Sequence, residues 1–323
     1  MFRNGEQARE IAKKINNLVS LLPKRERPIR FMEVCGGHTH SIFRYGLNQL
    51  LPKEIEFIHG PGCPVCVLPM GVVDDAIHIA QQPNVIFTTF GDAIRVPGSK
   101  HSLLQAKDLV CDVRIVYSPM DALNLAKKHP DKEVVFFGLG FETTTPTTAL
   151  TVLQAQKQGV KNFSLFCNHI TIIPTLRALL ESPECDLDGF IGPGHVSMII
   201  GSEPYEFIAD DFHKPLVISG FEPLDILQSV YMLVKQLLDG RCEIENQYQR
   251  IVPKAGNKMA MQSMADVFEP RSSTDWRGLG EIQDSGLQMR PAFAQWDAEK
   301  KFALHRTKVA DPEEAMCGAV VVG

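Results

Sequence analysis

The sequence lacks the features that mark membrane, secreted and nucleic-acid-binding proteins. No apolar run among its 323 residues approaches the ~20 residues that a membrane span needs. The N-terminus has no apolar core of a secretory signal. A net charge of −5 provides no basic surface for nucleic acid or for an anionic membrane. We therefore expect a cytoplasmic protein that has neither nucleic acid nor a membrane among its partners.

The cysteines do not form the framework of a disulfide-rich protein. Eight are present, but a reducing cytoplasm keeps thiols reduced. A second C-x-x-C pair, which would complete a common type of structural zinc site, is also missing. The sequence does contain a concentration of ligand residues. Three cysteines and three histidines stand between Cys35 and Cys66, at two glycine-rich corners that each follow a short apolar run.

The order of apolar segments predicts an α/β fold. Short apolar strands without polar alternation, separated by helical stretches, indicate parallel sheets that are buried on both faces. We predict two related α/β lobes with mainly parallel sheets and flanking helices, plus a smaller C-terminal region. The first lobe would span 1–132 and include the N-terminal helix and the three-cysteine site, the second lobe 133–242, and the smaller region 243–323.

Eight strands and six helices are predicted after the N-terminal helix. The strands are predicted at 29–34, 55–59, 85–89, 113–117, 133–138, 162–167, 188–191 and 215–219. The helices are predicted at 72–81, 121–128, 147–158, 174–180 and 223–238, with a further helix at 257–268. Residues 57–62, FIHGPG, resemble residues 189–194, GFIGPG, which is consistent with two related lobes.

The two glycine-rich corners predict a common site. Strand-to-helix turns that are close in sequence are expected side by side at the carboxyl edge of one parallel sheet, where open α/β folds bind ligands. Cys35 would come from the first corner, and Cys63 and Cys66 from the second. We expect these three sulfur atoms to meet in one pocket.

The residues after Cys35 indicate a ligand-binding turn. Gly36 and Gly37 allow the backbone to turn sharply and to approach a ligand closely. His38 would face the same cavity, where it could take a proton from the thiol or stabilise the thiolate. This pattern also fits a Cys–His hydrolase or acyl transferase with Cys35 as its nucleophile, although no third residue to orient the histidine can be assigned.

The Cys63-Pro-Val-Cys66 pair has two interpretations. Two cysteines three residues apart can close a small disulfide or bind a metal ion, and at the start of a helix their thiol pKa would be lowered. The alternative is half of a structural zinc site, which Cys35 and a histidine would have to complete.

A third glycine-rich turn spans 138–145 and carries Glu142, a candidate catalytic carboxylate. Glycines and hydroxyl groups at a helix N-terminus can hold an anion, although the turn lacks the Gly-Lys-Ser/Thr ending of a P-loop. The threonines of this turn could instead cap the helix.

Six motifs together identify a family. They are CGGHTH at 35–40, GPGCPVC at 60–66, GFETT at 140–144, GPGHVS at 192–197, GFEPLD at 220–225 and ENQY at 245–248. In this order they resemble the HypD family of [NiFe]-hydrogenase maturation proteins over nearly the whole chain. The resemblance implies a cytoplasmic scaffold on which iron acquires two cyanides and one carbon monoxide, more a metallocentre scaffold than a turnover enzyme.

The resemblance also implies roles for single residues and partners. Cys35 would bind the iron with His38 beside it, and Cys63 and Cys66 would be a redox-active pair. The chaperone HypC would share the iron, and the HypE/HypF pair would donate cyanide. Apolar residues near Ile42, Phe43 and Leu68 would dock the chaperone, unless they belong to the core. The family's [4Fe-4S] cluster uses four C-terminal cysteines, of which this sequence has only Cys317, so we expect either a truncated chain or a member without the cluster.

Overall fold

The computed structural model describes residues 3–107 and 111–309. The strands are β1 Ile29–Glu33, β2 Ile55–His59, β3 Val85–Thr89, β4 Asp112–Ile115, β5 Glu133–Gly140, β6 Phe163–His169, β7 Gly189–Pro193, β8 Leu216–Ser219, β9 Ile244–Asn246, β10 Phe268–Trp276 and β11 Gly280–Met289. The α-helices are α1 Gly5–Leu21, α2 Gly36–Tyr45, α3 Leu47–Leu50, α4 Met70–Ala80, α5 Leu103–Lys107, α6 Pro119–Lys128, α7 Thr145–Gln158, α8 Ile172–Glu181, α9 Gly194–Ile200, α10 Glu206–Asp210, α11 Pro223–Asp239, α12 Lys258–Val267 and α13 Ala298–Lys301. Short 3-10 helices occupy Ala93–Arg95, Glu203–Tyr205 and Pro291–Trp296.

The predicted α/β class is confirmed, and so are all eight predicted strands and the predicted helices, with ends that differ by two residues or fewer. Sequence analysis missed β9 and the hairpin of β10 and β11. β9 has only three residues, all partly buried. In β10 most residues between the two buried ends are exposed or half-buried, so no apolar run marks the strand.

The chain forms two compact units. The first contains residues 3–63 and 176–258. Its five strands form one parallel sheet in the order β2-β1-β7-β8-β9. Helices α1 and α11 pack against each other. Ile15 of α1, Phe31 of β1, Val217 of β8 and Leu227 of α11 lie in one apolar core.

The second unit contains residues 64–175 and 259–309. Four parallel strands form its sheet in the order β4-β3-β5-β6, and β10 and β11 form a separate antiparallel hairpin. Phe87, Phe137 and Phe166 lie together in its core, with Phe137 and Phe166 stacked at 5.3 Å between ring centroids. Within the described residues, none of the helices has the length and apolar character that crossing a bilayer requires.

The sheets do not follow the predicted divisions at 132 and 242. Strands β3 and β4, from the predicted first lobe, pair with β5 and β6, whereas β7 pairs with β1. The similar segments 57–62 and 189–194 therefore end two strands of one sheet, although β2 continues into a loop and β7 passes directly into α9. Such strand pairs join residues that are far apart in the chain, so the pattern of apolar residues along the sequence does not reveal them.

The two cysteine corners lie side by side, as predicted. β1 and β2 are parallel neighbours, with Glu33 opposite His59 at their carboxyl ends. The second corner then crosses very close to the first: a Cβ atom on Gly62 would lie 2.5 Å from the backbone nitrogen of Cys35. A Cβ atom on Gly60 would lie 2.9 Å from the carbonyl oxygen of Glu33. Only glycine fits at position 62, where all three obstructing atoms are backbone atoms of Cys35; at position 60 one backbone oxygen and two side chains obstruct the added atom.

We expect Gly62→Ala to destabilise the protein by ~1–3 kcal/mol, the usual cost of overpacking, because the added methyl group forces the two corners apart. Chemical denaturation followed by circular dichroism would measure the loss. Gly5→Ala is the matched control, since its Cβ would meet only the end of the flexible Arg9 side chain at 3.5 Å. Equal stability of the two variants would contradict the close approach of the corners.

Candidate functional site

Cys35 lies between the end of β1 and the start of α2, so its thiol lies at the N-terminus of a ten-residue helix. The backbone N–H groups of Gly37 and His38 favour the thiolate. Cys35 is partly exposed, but burial of its thiol has the larger effect and raises the pKa to about 11. At neutral pH the residue is therefore a thiol, and any metal ion bound there would require it to release its proton.

His38 is fully buried in the first turn of α2. Its Nε2 lies 3.2 Å from the carbonyl oxygen of Ser219 and 3.1 Å from that of Gly220. Both oxygens are acceptors, so we assign the proton to Nε2. Nδ1 has no hydrogen-bond partner among the described residues. Burial lowers the pKa of His38, which favours the neutral ring. A proton transfer from Cys35 would therefore have to use Nδ1.

Three further rings form a cluster with His38 that was not predicted from the sequence. Phe221 stacks on His38 at 4.6 Å between ring centroids and on His195 at 3.8 Å. Tyr248 meets Phe221 edge-on at 6.3 Å. These rings follow β8, β7 and β9, and so come from one sheet edge. Their motifs were visible in the sequence, but the strand order that gathers them was not.

Asp225 holds this group of rings together. Its carboxylate is fully buried and accepts hydrogen bonds from Arg250 at 2.5 Å and from Gln247 at 2.9 Å. With Glu222 it also forms a capping box at the start of α11. A Cβ atom on Gly220 would collide with the Asp225 carboxylate. The GFEPLD and ENQY segments therefore form one structural element, which places Phe221 and Tyr248.

Cys63 and Cys66 lie in a loop, and the prediction that they open a helix is wrong. A turn covers residues 64–67, and α4 begins only at Met70. Pro69 keeps the residue before it out of helical conformation, which separates the turn from the helix. The expected lowering of the thiol pKa by a helix N-terminus therefore does not apply to this pair.

Cys63 lies close to Cys35 within the first unit. Its Cβ atom is 4.0 Å from the place that a Cβ atom on Gly36 would occupy, and the Gly36 N–H donates to the carbonyl oxygen of Gly62 at 3.3 Å. A charge on Cys63 would act on the Cys35 thiol. The structure thus brings the first two of the three predicted cysteines together. Cys66 belongs to the second unit.

Gly37 and Gly36 have different surroundings. A Cβ atom on Gly37 would lie 2.8 Å from the Phe221 ring, so glycine is needed for the stack on His38 to form. A Cβ atom on Gly36 would make only ordinary contacts, at 3.8 Å or more. The prediction that both glycines serve close approach to a ligand stays a prediction.

Glu142 is buried in the second unit. Its Oε1 accepts the N–H of Ile172 at 3.0 Å, and its Oε2 has no partner within the described ranges. Burial raises the pKa of Glu142 to about 7. The hydrogen bond joins the turn after β5 to the start of α8, which is a structural contact. Its catalytic role stays a prediction.

The threonines of the turn after β5 bond within the turn. The Thr145 hydroxyl donates to the carbonyl oxygen of Phe141 at 2.9 Å, and the Thr144 hydroxyl donates to the same oxygen at 3.2 Å. Gly140 has φ of 142°, and a Cβ atom there would collide with the Thr144 hydroxyl. These hydroxyls donate to a carbonyl oxygen, and no side chain caps the N-terminus of α7 among the described residues, so the expected capping by threonine is not observed.

The described part of the chain contains no group of three or more His, Cys, Asp or Glu side chains arranged to hold a metal ion. Among these residues, the four ligands of a structural zinc site are therefore not assembled. Cys317, the residue that the resemblance relates to an iron–sulfur cluster, lies outside the described residues.

Of the three apolar residues considered for docking, two belong to the core. Ile42 and Leu68 are buried, whereas Phe43 is 61% exposed. The Phe43 ring lies 5.1 Å from the His59 ring at the second corner. Phe43 therefore remains the candidate for a contact with another protein.

Comparisons with known proteins agree with the motifs. The family model HypD, described as the hydrogenase formation hypA family, matches residues 6–323. The hydrogenase maturation factor HypD of Rhodobacter capsulatus is 57% identical over 327 residues, which cover 100% of this chain and 87% of the relative. That of Escherichia coli (strain K12) is 57% identical over 323 residues, with the same coverage. That of Rhizobium leguminosarum bv. viciae is 50% identical over 329 residues, covering 100% and 84%.

The family model covers nearly all of the chain, and the relatives align with all of it. The matched residues include the motif segments that form the sheet edge around Cys35 and His38. The chain belongs to the HypD family.

Proposed function

We propose that this protein is a hydrogenase maturation factor that holds iron through Cys35 while the Fe(CN)2CO centre of [NiFe]-hydrogenase is assembled. The names of its relatives support the general role. The observation that carries the specific role is the placement of Cys35, a single partly exposed thiol at the carboxyl edge of a parallel sheet, beside Cys63. A soft thiolate is a suitable ligand for iron that carries cyanide and carbon monoxide.

The iron is cargo in this proposal, and this chain supplies only part of its coordination. One sulfur from Cys35 leaves room for a cysteine of a HypC-type chaperone, which would make the iron a bridge between two proteins. The exposed Phe43 ring would contribute an apolar contact for that chaperone. Cyanide would come from a HypE/HypF-type donor complex.

Cys63 and Cys66 are proposed as a redox-active pair. Oxidation of two thiols to a disulfide releases two electrons and two protons, which would be available while the iron ligands are installed. Support comes from the spacing of the pair and from the nearness of Cys63 to Cys35. A Cys–His hydrolase has less support, because burial raises the pKa of Cys35 and lowers the pKa of His38, which disfavours the thiolate–imidazolium pair that such an enzyme uses.

We expect Cys35→Ala to abolish iron binding and the cyanide and carbonyl infrared bands of protein purified without oxygen together with HypC. The reason is that the variant loses its iron ligand. Cys242→Ala is the matched control, since that partly buried thiol donates to the carbonyl oxygen of His213. The proposal would be overturned if Cys35→Ala retained the iron and the infrared bands. It would also be overturned if the wild-type protein had neither iron nor these bands.

The redox role predicts a disulfide between Cys63 and Cys66 after mild oxidation. Mass spectrometry after alkylation should then find two fewer alkylated thiols in the oxidised than in the reduced wild-type protein. In Cys63→Ser, oxidation should not change the number of alkylated thiols. Reduction should restore both thiols. If oxidation removes the same number of reactive thiols from the wild-type protein and from Cys63→Ser, the pair is not the redox group.

Glu142 predicts a pH-dependent stability. Its folded pKa of about 7 lies above the usual value of 4.5, so the folded protein binds more protons between these values and loses stability as pH rises through this range. Relative to Glu142→Gln, the unmodified protein should lose up to ~3 kcal/mol in its free energy of unfolding between about pH 4 and about pH 8.

Denaturation of both proteins at each pH would measure that difference, because titration of all other groups is common to the two. A constant difference would refute the raised pKa. A catalytic role requires, in addition, that folded Glu142→Gln fails to support hydrogenase maturation. Normal maturation with this variant would leave Glu142 as a structural residue.

A further inference from the structure

Glu33, the last residue of β1, is a buried carboxylate that the proposed function does not use. It is fully buried. Its Oε2 accepts the N–H of Cys35 at 3.0 Å, and its Oε1 accepts Nδ1–H of His59 at 2.7 Å. The hydroxyl of Thr39, in α2, donates to the same Oε1. One side chain therefore receives three hydrogen bonds.

These donors come from both corners of the site. Cys35 and Thr39 belong to the first corner and its helix, whereas His59 ends β2 and precedes the loop to Cys63. The carbonyl oxygen of Glu33 also accepts the N–H of Gly60 at 2.7 Å. Glu33 thus holds the second corner through its backbone and its side chain, and the first corner through its side chain alone.

We propose that Glu33 is the positioning residue of the iron site, fixing the Cys35 sulfur relative to the second corner. This inference rests on the proposed function of Cys35. The parallel register provides the geometry, since it sets Glu33 directly opposite His59. A carboxyl side chain suits the role because its two oxygen atoms accept hydrogen bonds from donors of both corners.

Glutamine has nearly the same shape as glutamate but cannot satisfy all three donors. If its oxygen faces Cys35 N–H, its amide group faces Nδ1 of His59, which must then accept a hydrogen bond. The proton of a neutral His59 would move to Nε2. If its oxygen faces His59 instead, the amide group faces the N–H of Cys35. Two buried N–H donors then face each other, and neither has an acceptor. Either arrangement weakens the hold on one corner.

Glu33→Gln therefore tests the inference with little change in volume. In protein purified with HypC, the iron-cyanide and iron-carbonyl bands per folded protein should fall on the order of tenfold, and the remaining bands should shift. Glu56→Gln is the matched control, because that glutamate on β2 is exposed and, among the residues that the structure describes, pairs only with Arg30 at 2.9 Å. Bands of unchanged intensity and frequency in Glu33→Gln would overturn the positioning role.

Two further measurements do not depend on bound iron. Alkylation of Cys35 should be several-fold faster in Glu33→Gln than in Glu56→Gln, while alkylation of Cys242 stays the same. Nitrogen NMR of the histidine rings should place the His59 proton on Nδ1 in the unmodified protein and on Nε2 in Glu33→Gln. Unchanged Cys35 alkylation together with an unchanged His59 ring would also refute the inference.

The two proposals fail in different ways. Absence of the iron bands from the unmodified protein would remove the proposed function, whereas the alkylation and NMR results would still report whether Glu33 holds the corners together. Iron bands that require Cys35 but do not respond to Glu33→Gln would remove only the positioning role.

Discussion

The parallel register of β1 against β2 is the constraint on which the site depends. It places the carboxyl ends of the two strands opposite each other, so that the segments that follow them are in contact directly after the strands end. The loops can meet only because Gly60 and Gly62 have no side chain to separate them. Cys63 reaches Cys35 for this reason, and not because the sequence places them near each other.

Burial determines much of the chemistry around Cys35. It raises the pKa of the Cys35 thiol and lowers that of His38, so both groups are neutral at rest. A neutral thiol beside a neutral imidazole is a poor nucleophilic pair, whereas a thiol that loses its proton on metal binding is a normal metal ligand. The same environment therefore favours a binding role over hydrolysis.

The first unit assembles its site from segments that are distant in the chain. β7 and β8 bring His195 and Phe221 to the edge where β1 brings Cys35, and Phe221 then stacks on both His38 and His195. Asp225 keeps this stack in place through Arg250 and the capping box of α11. Each segment is short, so its function depends on the neighbours that the sheet order gives it.

The sequence by itself determined eight of the eleven described strands, the longer helices and the motif residues, because apolar runs and glycine turns are local signals. It identified Cys35 and His38 but could not show that the Nε2 atom of His38 faces β8, nor that Glu33 joins the two corners. It also predicted a helix start at Cys63, since local spacing resembles one, although Pro69 delays the helix. Sheet order, close backbone approach and burial were decided only by the tertiary structure, because each depends on contacts between residues far apart in the chain.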